Sequence, residues 1–88
     1  YYKPGTFNTG FDVWVENREF SDDNKSFEAE FKYYGNNEKF TVIVAMNEEK
    51  KDYKVILNGI EVPYTVRDES AIEITIDGNN ELNKLVIK

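Results

Sequence analysis

The chain contains no cysteine and no histidine among its 88 residues. The first absence excludes disulfides, zinc–thiolate centres and cysteine nucleophiles. The second removes the commonest general base and the commonest metal ligand, and with them serine triads of the usual kind. Basic residues are also scarce: 11 Lys and Arg stand against 17 Asp and Glu, for a net charge of −6. Nucleic-acid binding needs a basic stripe that releases counterions, and none is visible. The same balance disfavours anionic membrane surfaces. No run approaches the ~20 apolar residues of a membrane span, and no secretory leader is present. The chain begins at Tyr1 and not at a methionine, which reads as a fragment or processed product of a longer protein.

What is present is enough for one globular domain. Hydrophobic residues make up 40% of the chain and aromatics 15%, which separates it from disordered sequences. A chain of this length buries roughly 60% of its unfolded surface. Its core is therefore thin, and little room is left for an enclosed pocket.

The apolar residues recur with a period of two, the signature of strands half-buried on one face. Phe11, Val13 and Val15 alternate with Asp12, Trp14 and Glu16. Phe27, Ala29, Phe31 and Tyr33 alternate with Glu28, Glu30, Lys32 and Tyr34. Phe40 to Met46 is apolar apart from Thr41 and reads as a central strand buried on both faces. Tyr53–Leu57 and Ile60–Val66 flank Asn58-Gly59, a dipeptide that favours a two-residue type I′ hairpin. Pro63 marks an edge or bulge in the second arm. Ile72, Ile74 and Ile76 form the next strand, and Leu82–Ile87 closes the chain. Asn47–Asp52 has room for one helical turn. Turn clusters at regular spacing, without helical periodicity, predict an all-β, small antiparallel immunoglobulin-like sandwich of about seven strands over residues 11–88. Residues 1–10 show no period and read as a lead-in segment.

Few constellations suggest chemistry. Glu28 and Glu30 share a strand face, as do Glu73 and Thr75, which is what a solvated face looks like; paired glycosidase carboxylates need a cleft between them. Asp22, Asp23 and Asn24, and again Asp77, Asn79 and Asn80, supply the hard oxygens that calcium favours. These are also ordinary turn residues, and neither cluster has the spacing of a calcium loop. The chain is read as non-catalytic, with no cofactor and no metal.

The aromatics are more informative. Trp14 is out of phase with Phe11, Val13 and Val15, so it points outward with Asp12 and Glu16. Tyr34 is likewise out of phase with Phe31 and Tyr33. Sugar rings present flat C–H faces that stack on exposed aromatic rings, and carboxylates beside such a ring accept hydroxyl hydrogens. Trp14, Tyr34, Asp12 and Glu16 are therefore the candidate ligand-binding residues. The competing reading is that Trp14 packs against a second sheet or a neighbouring domain.

The segment Tyr53-Lys54-Val55-Ile56-Leu57-Asn58-Gly59-Ile60-Glu61-Val62, followed by Tyr64-Thr65-Val66, Ala71–Ile76 and Leu85-Val86-Ile87, resembles the closing strands of β-sandwich domains appended to glycoside hydrolases. The C-terminal domains of glycoside hydrolase family 31 are one example. The likeness covers residues 53–88 only, and no functional residue comes with it. It implies a non-catalytic accessory module of an extracellular bacterial carbohydrate-active enzyme, secreted or at the cell surface. Such a module binds polysaccharide weakly or supports a neighbouring catalytic domain. The alternative is a structural or adhesive immunoglobulin-like repeat of a bacterial surface protein with no sugar ligand.

Overall fold

The computed structural model describes residues 1–88 and contains nine strands and no helix: β1 (Thr6–Asn8), β2 (Val13–Phe20), β3 (Phe27–Tyr33), β4 (Lys39–Ala45), β5 (Val55–Leu57), β6 (Ile60–Val62), β7 (Thr65–Val66), β8 (Ala71–Asp77) and β9 (Asn83–Ile87). They form two antiparallel sheets, one ordered β1-β4-β8-β7 and the other β2-β3-β9-β5-β6. The all-β sandwich expected from the period-two pattern is therefore present, with nine strands instead of about seven.

Immunoglobulin sandwiches place strands A-B-E-D on one sheet and C-F-G, extended by C′, on the other. Here β1, β4, β8 and β7 take the A-B-E-D places, and β6, β5 and β9 take C′-C-F. The place of G, beside F, is filled by β3, which enters the chain before β4 and not after β9. The β2–β3 hairpin thus completes the larger sheet from the N-terminal side, and β2 becomes its edge.

The core lies between the inner faces. Phe27, Ala29, Phe31 and Tyr33 of β3, Phe40, Val42 and Val44 of β4, Ile72, Ile74 and Ile76 of β8, and Leu85 and Ile87 of β9 are all buried. Phe7 joins them from β1, packing 5.0 Å from the Phe27 ring and 5.8 Å from Phe31. Residues 1–10 are thus more than a lead-in: Thr6–Asn8 pairs with Ala45–Ile43 and contributes a core side chain. A three-residue strand is too short to show a period.

Three further expectations are corrected. The β4 strand is buried on one face only, with Thr41 exposed and Ile43 half-buried between its cross-strand neighbours Asn8 and Glu73. Ile60–Val66 is not one arm: the chain leaves the larger sheet after Val62 and joins the smaller one at Thr65, with Pro63 at the crossing. Pro63 has no N–H to offer a ladder, which suits a strand break. Asn47–Asp52 forms a turn and no helix. By contrast, Asn58 (φ 52°) and Gly59 (φ 84°) both have positive φ, as a type I′ hairpin requires.

Candidate functional site

The two ends of the sandwich differ in composition. One end gathers residues 9–12, the β3–β4 loop (34–38), the Asn58-Gly59 turn and the β8–β9 loop (78–82). Bonds from Tyr34 N to Asp12 O (2.7 Å), Gly78 N to Glu38 O (2.7 Å) and Asn58 Nδ2 to Asn83 Oδ1 (3.0 Å) tie these segments together. The other end gathers the Ser21–Ser26 turn, Met46–Asp52 and Asp68–Ser70. Both chain termini are there: Tyr2 N donates to Asp68 Oδ2 (2.9 Å), and Lys88 exchanges two backbone bonds with Lys54.

Trp14 and Tyr34 belong to the first end, on the outer face of the larger sheet. Phase alone predicts their direction, and both are exposed, Trp14 at 61% and Tyr34 at 64%. Trp14 lies opposite Lys32, and Tyr34 opposite Asp12, so the two rings stand on a cross-strand diagonal. Diagonal positions lie about 7 to 8 Å apart. Tyr33, between Lys32 and Tyr34, turns inward and stacks on Phe40 with centroids 4.2 Å apart. Its hydroxyl accepts a bond from Asn37 N at 3.1 Å, which anchors the loop that follows Tyr34. Gly35 is needed there, because a Cβ would collide with the Tyr33 hydroxyl.

Asp12 is exposed beside Tyr34, as its position predicts. Glu16 differs from expectation. The register runs from Val15↔Phe31 to Asn17↔Glu30, so Glu16 is the extra residue of a β-bulge and has no partner across the strand. The bulge reverses the phase of β2, bringing Asn17 to the outer face, where its amide donates to Glu30 (2.6 Å). Glu16 stays exposed but leaves the regular row that holds Trp14.

Phe11 was expected to face the core and instead is fully exposed. It sits in a bend before β2, after Gly10 at φ 79°, so the alternation it shares with Val13 and Val15 is outside the strand. It borders an open groove between the sheets with Asp12, Tyr33, Asn37 and Phe40. Ile60 and Leu82 are exposed at the same end. Five of the seven large exposed hydrophobics, Phe11, Trp14, Tyr34, Ile60 and Leu82, therefore gather opposite the termini. Sequence reasoning missed Phe11; the preceding glycine was the available signal.

This end is also rich in amides. Asn83 is fully buried; its amide oxygen accepts from Asn58 Nδ2, it exchanges bonds with Asn79, and its amide nitrogen donates to Glu81 O (3.2 Å). Asn58 Oδ1 accepts from Lys84 N at 2.8 Å. No buried side-chain polar atom is left without a partner.

Three other carboxylates, Asp23, Asp77 and Asp68, are engaged in structure. Asp23 accepts bonds from Ser21 Oγ (2.8 Å) and Lys25 N (3.0 Å), which hold its carboxyl below the usual value. Asp77 pairs with Lys39 at 2.7 Å. No three His, Cys, Asp or Glu side chains are grouped to hold a metal ion. Asp68 accepts from Tyr2 N, Ala71 N and Ser70 N, and these bonds lower its pKa. A folded-state value below the ordinary one means that stability is present above the usual carboxylate range, about pH 4, and is lost as pH falls through it. Denaturant midpoints at neutral pH and at about pH 3 should therefore differ for the native domain. The gap should narrow in Asp68→Asn. An unchanged gap would show that Asp68 contributes nothing to the acid limb.

No family model, no curated protein and no solved structure matches this chain.

Proposed function

We propose that the domain is a non-catalytic glycan-binding module of an extracellular carbohydrate-active protein, with polysaccharide and neighbouring domains of the same chain as its partners. The observation that carries this reading is the exposure of Trp14 and Tyr34 at diagonal positions on the outer side of the larger sheet, with Asp12 opposite Tyr34. Contiguous exposed aromatics mark interaction surfaces.

Aromatic contacts contribute on the order of 1 kcal/mol each. Two rings with a polar rim give affinities from about millimolar to high micromolar. The test is pull-down on insoluble polysaccharides together with titration of soluble oligosaccharides read by tryptophan emission. Trp14→Ala should abolish binding and leave the denaturation midpoint within about 0.5 kcal/mol of the parent, as for other exposed positions. Absence of binding in the native domain, or unfolding by Trp14→Ala, would favour the structural-repeat reading.

A further inference from the structure

The charges around Trp14 narrow the class of ligand. Asp12 lies two residues before it and Glu16 two after, both exposed. Neither takes part in an ion pair: the three pairs in the domain are the Tyr1 amino group with Asp68, Lys39 with Asp77, and Arg67 with Glu73. Glu30 stands one row further along the same face, bonded to Asn17. Two cations share this face: Lys32, opposite Trp14, and Lys84, opposite Glu30. Three carboxylates, two of them outside any ion pair, thus share this part of the face with two ammonium groups, in a domain of net charge −6. A polyanionic glycan built from uronic acids or sulfated sugars would meet repulsion there. An ammonium group meets the reverse: the face of an indole attracts it, tryptophan most strongly of the aromatics, and the nearby carboxylates of Asp12 and Glu16 are free of ion pairs.

We infer, resting on the glycan-binding reading above, that the ligand is a cationic amino-sugar polymer, a glucosamine-type chain with free amines. Its C–H faces lie on Trp14 and Tyr34, and its ammonium groups point toward Asp12 and Glu16. Such a polymer carries a flat apolar face and a positive charge on the same residue. It therefore uses both features of this surface, where a neutral glycan uses only the rings.

The experiment compares three soluble oligomers of equal length: glucosamine, N-acetylglucosamine and a uronic acid. Each is titrated into the native domain and into the double variant Asp12→Asn/Glu16→Gln, at low and at roughly 0.3 M salt, at a pH where the amines are protonated. The amine oligomer should bind about tenfold more tightly than the acetylated one. That advantage should shrink at high salt and disappear in the double variant. Equal binding of the amine and acetylated oligomers, or tighter binding of the uronate, overturns the inference and leaves a glycan-binding module of other specificity. Failure of all three to bind the native domain overturns the glycan reading itself.

Discussion

Replacing Phe31 by alanine should cost the domain about 3 to 5 kcal/mol, the usual range for a fully buried phenylalanine. Phe31 is completely buried in the middle of β3. Its ring lies 5.8 Å from Phe7 and 6.3 Å from Phe40, the latter edge-on at 87°. Phe7 extends the contact to Phe27 and on to Phe20, while Phe40 extends it to Tyr33. Phe31 is therefore the link that joins two groups of rings drawn from both sheets. A domain of this size has a total stability of about 5 to 10 kcal/mol, so the variant should be largely unfolded at moderate temperature. Urea denaturation followed by tryptophan emission measures this. A loss below about 1 kcal/mol would mean that the rings do not form the continuous core described.

Ile74→Ala should cost about 2 to 5 kcal/mol, through lost transfer energy and the cavity left behind. Ile74 is completely buried at the centre of β8, opposite Val42 of β4. Ile72 and Ile76 are buried on the same face, while Thr75 between them is exposed and Glu73 half-buried. A one-residue slip would exchange these faces. Thr75→Ala, on the opposite face, should change stability by less than about 0.5 kcal/mol. If the two variants cost the same, β8 is not inserted in this sense.

Where a strand is long and one face is buried, its orientation was legible from the alternation. Phe27–Tyr33 and Ile72–Ile76 are in this group, as is the outward direction of Trp14 and Tyr34. The hairpin at Asn58-Gly59 was legible because few dipeptides accept positive φ at both positions. The failures have identifiable physical sources. Phe11 shares the apolar alternation of Val13 and Val15 but lies in the bend that follows Gly10 and precedes β2. Phe7 lies in a strand of three residues. Ile43 is apolar on an outer face that its neighbours only half cover. The bulge at Glu16 inserts one residue and reverses the phase, so Arg18 and Phe20 align with Ala29 and Phe27. Nothing in composition announces such an insertion. The placement of β3 in the position of strand G was also invisible, since strand order depends on long-range pairing.

The candidate surface was legible in part. Period located Trp14, Tyr34 and Asp12, but only the fold shows that Phe11, Ile60 and Leu82 share their end and that both termini lie at the other. The buried Asn83, which helps to fix the turns at that end, has no local pattern to announce it.

Glycan binding is proposed at the end of the sandwich that carries Trp14, Tyr34 and Phe11. Two-dimensional 1H–15N NMR of the native domain, titrated with the oligosaccharides above, tests it residue by residue. Saturable shifts are expected at the Trp14 indole N–H and at the amides of residues 10–16 and 32–38. The amides of residues 21–26, 46–52 and 68–70 should stay unmoved. Shifts centred on that second group of residues, or an unperturbed spectrum at millimolar glycan, would contradict it.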